Sequence, residues 1–325
     1  MKKQYSKFTG TLSAGALLLG LACARPSDAQ QFSDWSAPVN LGPVVNSNFN
    51  DNHMAISKDG LHLYFTSDRP GGFGGADIWV TRRDSLEDNW ETPINLGPNL
   101  NSSSNDGAPS FSNDGHLLFF HSARPGGCGL ADLYVSHRKD KFDDFGWEPA
   151  VNLDLFGRDP QAPLVCTVNS SSFDNGPSYF QDETGKTLLY FTSTRPGGLG
   201  DYDIYVTTLQ ADGTWGFATL VPELSSAYRD TRTAIRRRDG LEMILSTERP
   251  GGLGRDLWVS TRATTQDLWS APVNLGPTVN STALDGAPAL SWDGTTLIFF
   301  SDRPGGFGGM DLYMSTRTKL TGPQP

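Results

Sequence analysis

The stretch SDRPGGFGG occurs twice in the chain, at Ser67–Gly75 and again at Ser301–Gly309. Looser copies lie between them, as SARPGGCGL at Ser122–Leu130, STRPGGLGD at Ser193–Asp201 and TERPGGLGR at Thr247–Arg255. The arginines of the five copies are 55, 71, 54 and 54 residues apart. An internal period of this length is typical of a repeat architecture. The 325-residue chain is therefore expected to contain five copies of one unit, with an insertion at about residues 154–168 in the longest interval.

Each unit has the pattern of four short strands, called a to d below. In the first unit, strand a begins at Asp51, a hairpin turn with Gly60 follows, and strand b is the apolar segment Leu61–Ser67. Strand c begins at Asp77, after the Arg-Pro-Gly-Gly phrase, and strand d follows Trp90. Short strands separated by Gly-containing turns favour antiparallel pairing within each unit.

The two ends of the chain complement each other. The last unit stops after strand c, near Thr318, and the missing strand d is present at Trp35–Gly42 (WSAPVNLG). An N-terminal strand that completes the last unit closes a ring and leaves no unpaired sheet edge there. Residues 30–320 are therefore predicted to form an all-β, five-bladed β-propeller of four-stranded antiparallel blades, followed by a tail at 321–325.

The repeats also carry a family resemblance. The segment Asp106–Val135 (DGAPSFSNDG…LLFFHSARPGGCGLADLYV) resembles the WD40-like (PD40) repeat of TolB-type propellers, and the likeness extends from Trp35 to about Thr318. The resemblance implies a propeller of the bacterial cell envelope that binds other molecules. Two departures limit it, because TolB has a separate N-terminal α/β domain and six blades. The identity of a partner is therefore not implied.

Residues 1–29 have the pattern of a signal peptide. Lys2 and Lys3 open a basic segment, and the apolar segment Thr11–Ala22 that follows is too short to cross a membrane. Small residues suitable for cleavage come next. We expect a periplasmic or secreted protein without a transmembrane segment, and a lipoprotein anchored at Cys23 is the alternative.

Charge and residue usage restrict the partners. The net charge is −10, and removal of residues 1–29, with four bases and one acid, lowers it to −13. This charge argues against nucleic acid as a partner. An envelope protein or a glycan is the expected partner of a monomer. The five histidines lack metal-ligand spacing, so no metal and no cofactor are predicted.

Export also bears on the cysteines. Only Cys128 and Cys166 remain after removal of residues 1–29. Disulfides persist in the periplasm and outside the cell. A Cys128–Cys166 disulfide is therefore predicted, and Cys166 lies within the insertion.

The repeated arginine has a predicted structural role. Asp51 and Arg69 are equally far from the hairpin turn at Gly60, so antiparallel pairing brings them to the same end of the blade, where strand c also begins. An arginine can bind two carboxylates there, which predicts a structural ion-pair cluster in every blade. Five equivalent ligand sites are the alternative. The cluster residues are Arg69, Arg124, Arg195, Arg249, Arg303, Asp77, Asp132, Asp203, Asp256 and Asp311, together with the strand-a aspartates.

Ligand binding is expected where the repeats differ, at the mouth of the central channel. Most units have small residues after the strand-a aspartate, but the first has His53 and the fourth has Arg232. Both side chains could instead satisfy a neighbouring aspartate. The predicted ligand-binding set is Asp51, His53, Asp106, Asp174, Asp230, Arg232 and Asp285.

These patterns favour a non-enzymatic binding or scaffold module of the envelope. The alternative is a glycan-binding lectin or a glycoside hydrolase that uses channel carboxylates. Three acids directly precede a repeat arginine and would lie at the channel mouth, namely Asp68, Glu248 and Asp302. No spacing in the chain identifies a catalytic pair among them, so no catalytic residue is assigned.

Overall fold

The computed structural model describes residues 30–159 and 161–320. The predicted signal peptide, Cys23 and the tail at 321–325 lie outside the described residues. Within them, one 3₁₀ turn (Leu153–Leu155) accompanies 22 strands. In chain order the strands are β1 (Gln31–Phe32), β2 (Val39–Asn40), β3 (Asp51–Ile56), β4 (His62–Ser67), β5 (Asp77–Arg82), β6 (Ile94–Asn95), β7 (Asp106–Phe111), β8 (Leu117–Ser122), β9 (Asp132–His137), β10 (Val151–Asn152), β11 (Asp174–Gln181), β12 (Thr187–Ser193), β13 (Asp203–Thr208), β14 (Thr219–Leu220), β15 (Asp230–Ile235), β16 (Glu242–Thr247), β17 (Asp256–Thr261), β18 (Val273–Asn274), β19 (Asp285–Leu290), β20 (Thr296–Ser301), β21 (Asp311–Thr316) and β22 (Lys319–Leu320).

The strands form five antiparallel four-stranded sheets, as predicted. Blades 1 to 4 are β3–β6, β7–β10, β11–β14 and β15–β18, and blade 5 has the order β19-β20-β21-β2. The N-terminal strand β2 thus completes the last blade, pairing Val39 with Met314 and Asn40 with Tyr313. A further pair, β1 with β22, extends this closure beyond the sequence prediction. None of the described residues forms a helix long and apolar enough to cross a membrane.

The fourth strand of each blade is shorter than the sequence pattern indicates. It has two residues, as in Ile94–Asn95, and Trp90 lies outside it. In blades 2 and 3 the corresponding tryptophans, Trp147 and Trp215, make single bridges to the residue that follows strand c. Prolines near this segment, such as Pro93, lack the N–H that a longer ladder requires.

The apolar cores lie between neighbouring blades. At the closing junction, Met54 and Phe65 of blade 1 pack with Ile298 and Phe300 of blade 5, and Leu312 joins the same cluster. All five side chains are buried. Burying a side chain of this kind contributes roughly 1.5–3 kcal/mol. The junction made by the chain ends is therefore packed like the interior of the protein.

Each innermost strand carries a β-bulge near its start. In blade 1 the register shifts between Asn52 and Ala55, and blades 2 to 5 repeat the shift. The third strand residue lies in the left-handed region in every blade, at φ of 42° for His53, 55° for Ala108, 61° for Gly176, 38° for Arg232 and 47° for Ala287. A bulge leaves peptide groups outside the ladder and re-aims a side chain. Four residues other than glycine hold this unfavourable conformation around the channel.

Candidate functional site

The repeat arginines bind the strand-a aspartates at one end of the blades, called here the Asp/Arg face. In blade 1, Arg69 Nη2 is 2.6 Å from Asp51 Oδ1 and 2.6 Å from the carbonyl oxygen of Val45, and Nε donates to Ser67 Oγ. The corresponding ion pairs are Arg124–Asp106 at 2.8 Å, Arg195–Asp174 at 2.6 Å, Arg249–Asp230 at 2.6 Å and Arg303–Asp285 at 2.5 Å.

The predicted role of the strand-c aspartates is wrong. Asp77 does not contact Arg69, whose Nη2 donates to Val45 and Asp51 and whose Nε donates to Ser67. Asp77 Oδ2 instead accepts from the backbone N–H of Phe73 and from an asparagine of strand d. The same kind of backbone contact, or an asparagine contact, replaces the arginine at Asp132, Asp203, Asp256 and Asp311.

This position of Asp77 explains the paired glycines. A Cβ on Gly72 would lie 1.7 Å from Asp77 Oδ2, and Gly71 has a φ of 98°. The first glycine therefore provides a left-handed turn and the second allows the carboxylate to approach the loop. Burial raises the pKa of Asp77, partly offset by the hydrogen bond from the Phe73 N–H. The repeated phrase thus encodes a structural joint between strands b and c.

The strand-a aspartates are also placed differently from the ligand-binding prediction. Asp51 has no exposed side-chain surface, and its second oxygen accepts from the N–H and the hydroxyl of Ser47. The same arrangement occurs at Asp106, Asp174 and Asp285, and Asp230 accepts from the hydroxyl of Ser226. These carboxylates are enclosed within the blades, so we exclude Asp51, Asp106, Asp174, Asp230 and Asp285 from the candidate site.

Arg232 lies inside the channel rather than at its mouth. Its side chain crosses from blade 4 and donates to the carbonyl oxygens of Ala108 at 2.9 Å, Pro109 at 2.7 Å and Met54 at 3.1 Å. Only 4% of the residue is exposed. The bulges free these carbonyl groups from the ladder, and Arg232 satisfies them. The alternative that it pairs with a neighbouring aspartate is also wrong.

His53 is the predicted residue that reaches the channel mouth. Its Nδ1 is 2.7 Å from Asn52 Oδ1, and its ring lies 6.0 Å from Phe300 and 6.5 Å from His121. Burial, followed by the charges of Arg232 and other neighbours, holds the pKa of His53 well below its usual value. Burial lowers the pKa of His121 to about 4. Both imidazoles are therefore neutral at pH 7.

Sequence reasoning did not identify His121, Phe300 or Arg255. The strand-b residues His121 and Phe300 each pair with a glycine of strand a, Gly107 and Gly286. A Cβ on Gly286 would lie 2.7 Å from the Phe300 ring and 3.4 Å from Cδ of Arg255. The sequence signal that could have identified His121 and Phe300 is a strand-a glycine paired with a bulky strand-b residue. We define the channel mouth as Asn52, His53, His121 and Arg255, with the buried ring of Phe300 beside His53.

Asp68, Glu248 and Asp302, which precede repeat arginines, are called here the rim carboxylates. They differ in how many of their oxygens accept a hydrogen bond. Both oxygens of Asp68 accept from Asn50, at 2.7 and 2.8 Å. Asp302 accepts through Oδ1 from the N–H of Leu284, and Glu248 accepts through Oε1 from Arg255 at 3.1 Å. Within residues 30–159 and 161–320, Asp302 Oδ2 and Glu248 Oε2 have no hydrogen-bond donor. Two rim carboxylates thus retain an oxygen for a ligand.

The two cysteines expected to pair form a disulfide, with a Cα–Cα distance of 6.0 Å. It attaches the insertion to the loop that follows β8. Asp154 holds the base of the insertion, because its Oδ1 accepts from the N–H groups of Thr167 and Val168, each at 2.8 Å. The insertion is therefore closed at its base by Asp154 and linked to blade 2 by the disulfide. No group of metal-binding side chains occurs among the described residues.

The channel-mouth histidines predict a pH dependence. Because the pKa of His121 falls from 6.5 to about 4 on folding, the unfolded chain binds more protons below pH 6.5. Stability contributed by neutral His121 is complete above pH 6.5 and is lost as the pH falls towards 4. Between pH 6.5 and 5 the wild type should lose up to about 2 kcal/mol more than a His121→Gln variant in urea unfolding. Parallel curves for the two proteins would contradict the burial of a neutral imidazole.

Comparisons with known proteins found similar folds at low sequence identity. No protein-family model matches the chain, and no curated protein matches it. Solved structures do match, including an α-L-arabinofuranosidase from Lactobacillus brevis at 15% identity, with a TM-score of 0.58 over 86% of this chain and 93% of that one. A thermostable family-43 glycoside hydrolase matches at 14% identity and a TM-score of 0.57, over 88% and 98% of the two chains. A family 117 glycoside hydrolase of Zobellia galactanivorans matches at 13% identity and a TM-score of 0.52, over 90% and 93%.

The protein is thus a five-bladed propeller whose structural neighbours are glycoside hydrolases of families 43, 62 and 117. The resemblance to TolB-type PD40 propellers is wrong, because these neighbours are not of that class and no family model supports it. The resemblance depended on an Asp-Gly hairpin between two strands. This hairpin is part of the structure of a blade and does not identify a family. The prediction of a non-enzymatic envelope scaffold depended on that resemblance. The same structural neighbours contradict it.

Proposed function

We propose that this protein is a carbohydrate-active propeller that binds a glycan at the channel mouth and hydrolyses it with carboxylates of the rim. The observation that carries the proposal is the likeness of nearly the whole described chain to arabinofuranosidases and a xylanase. The channel mouth also has polar side chains that can form hydrogen bonds with a sugar, at Asn52, His53 and Arg255.

Hydrolysis of a glycosidic bond requires two carboxyl groups, one to protonate the leaving oxygen and one to attack or to activate water. The strand-a aspartates are unsuitable, because arginine and Ser contacts occupy their oxygens. Glu248 and Asp302 lie on adjacent blades at the rim, and each has an oxygen without a donor among residues 30–159 and 161–320. We assign them the acid/base roles, with no order between them.

The expected outcome is release of reducing ends from arabino- or xylo-oligosaccharides by the wild type. Glu248→Gln and Asp302→Asn should each lower the rate by about 100-fold or more, while calorimetric binding of the same oligosaccharide persists. Asp201→Asn is the matched control, because Asp201 is an exposed carboxylate in the equivalent loop of blade 3 and should not affect the rate.

Two results would overturn parts of this proposal. Saturable binding with no product from the wild type would contradict hydrolysis and leave a glycan-binding propeller. No binding to any oligosaccharide would contradict the carbohydrate-active class itself.

The predicted signal peptide at residues 1–29 supports action outside the cytoplasm, and the molecular mass of the secreted chain would test its cleavage.

A further inference from the structure

A small cavity lies on the axis of the propeller, below the channel mouth. Its volume is about 40 Å³, and it lies between the five innermost strands. Arg232 and Arg237 both contribute to its lining, and much of the remainder is apolar, from residues such as Pro109, Pro177 and Pro288. The cavity therefore combines two guanidinium groups with apolar walls, in a protein whose net charge is −10.

Neither arginine has a carboxylate partner among the described residues. Arg232 binds three backbone carbonyl groups, and Arg237 donates to the carbonyl oxygens of Ile56 at 2.8 Å and Phe111 at 3.4 Å. The five repeat arginines differ, because each has an aspartate within 2.8 Å. Carbonyl dipoles accept the guanidinium hydrogens, and the Trp292 ring lies 5.9 Å from Arg237, but no negative charge neutralises the two guanidinium groups.

Two polar atoms of the lining residues also lack a partner. Arg232 Nε and Thr233 Oγ1 are buried and make no hydrogen bond within residues 30–159 and 161–320. Burial lowers the pKa of Arg232 to about 9 and that of Arg237 to about 10. Both side chains nevertheless stay protonated at neutral pH. An uncompensated buried charge and an unpaired buried donor are both unfavourable, so the cavity favours a ligand that corrects both.

We infer that the central cavity binds one small inorganic anion, of the size and charge of chloride. An anion placed between Arg232 and Arg237 compensates positive charge and accepts from Arg232 Nε and the Thr233 hydroxyl. A cation is repelled by the two guanidinium groups. Water can occupy about 40 Å³ but brings no charge, and a sugar ring does not fit in that volume. This inference is independent of the proposed glycan hydrolysis.

The first test is thermal unfolding with increasing sodium chloride, at an ionic strength kept constant with sodium gluconate. Chloride binding to the folded state alone should raise Tm by about 3 °C at ten times its Kd, and Tm should continue to rise with the logarithm of the chloride concentration. Arg237→Met should remove the rise, whereas Arg238→Met, which changes the exposed neighbouring arginine, should retain it. Equal melting curves in chloride and gluconate would overturn the inference.

The second test does not depend on a folded variant. Crystals of the wild-type protein soaked in sodium bromide should give an anomalous peak on the propeller axis, between Arg232 and Arg237. Bromide has the charge of chloride and a similar size, so it should occupy the same site. Water density without an anomalous signal in the cavity would overturn the inference. A rise in Tm with chloride would then be due to binding at the protein surface.

Discussion

Replacing Arg124 with alanine is expected to lower the free energy of unfolding by about 3 kcal/mol. Asp106 has no exposed side-chain surface, and the change removes its ion-pair partner at 2.8 Å. It also removes the donor to the carbonyl oxygen of Leu100 and the Nε contact to Ser122. Removing one member of a buried pair costs about 3–5 kcal/mol, and the partial exposure of Arg124 favours the lower value.

Two further variants make this prediction specific. Arg124→Lys retains the charge but lacks the planar group that reaches Asp106, Leu100 and Ser122 together, so it should be intermediate. Arg238→Ala removes an exposed arginine on the opposite face and should change stability by less than about 0.5 kcal/mol. Guanidinium unfolding followed by tryptophan fluorescence measures all three. Equal stability of the Arg124→Ala variant and the wild type would contradict the structural role of the repeat arginines.

Removing the Cys128–Cys166 disulfide is expected to cost about 4 kcal/mol. The bond closes a loop with a sequence separation of 38 residues, and cross-linking a loop of that length restricts the unfolded chain. It also attaches the insertion to the loop between β8 and β9, while Asp154 joins the two ends of the insertion through Thr167 and Val168. A Cys128→Ala/Cys166→Ala double variant should therefore unfold at a lower denaturant concentration.

The control for this prediction is the wild type unfolded with and without a thiol reductant. Reduction should destabilise the wild type to the level of the double variant and should leave the double variant unchanged. If reductant has no effect on the oxidised wild type and two free thiols are titrated, the disulfide is absent from the protein. A stability loss below about 1 kcal/mol would contradict the predicted contribution of the disulfide.

The candidate site was only partly predictable from the sequence. His53 was identified because it departs from the small residues of the other units, and it lies at the channel mouth. Arg232 was identified for the same reason but lies inside the channel, because a bulge frees the carbonyl groups of Ala108 and Pro109 for it. His121 and Phe300 were missed, since their positions depend on glycines in the paired strand.

The sequence by itself determined the number of blades, their antiparallel order and the closure by β2, because these depend on local strand and turn patterns repeated along the chain. It also determined that Asp51 and Arg69 meet, because hairpin register brings residues equally distant from a turn together. Only the tertiary structure decided that Asp77 binds the loop instead of Arg69, and that Arg232 crosses the channel. The first contact depends on how the loop after strand b folds back over Asp77. The second depends on residues from several blades, which become neighbours only when the ring has closed.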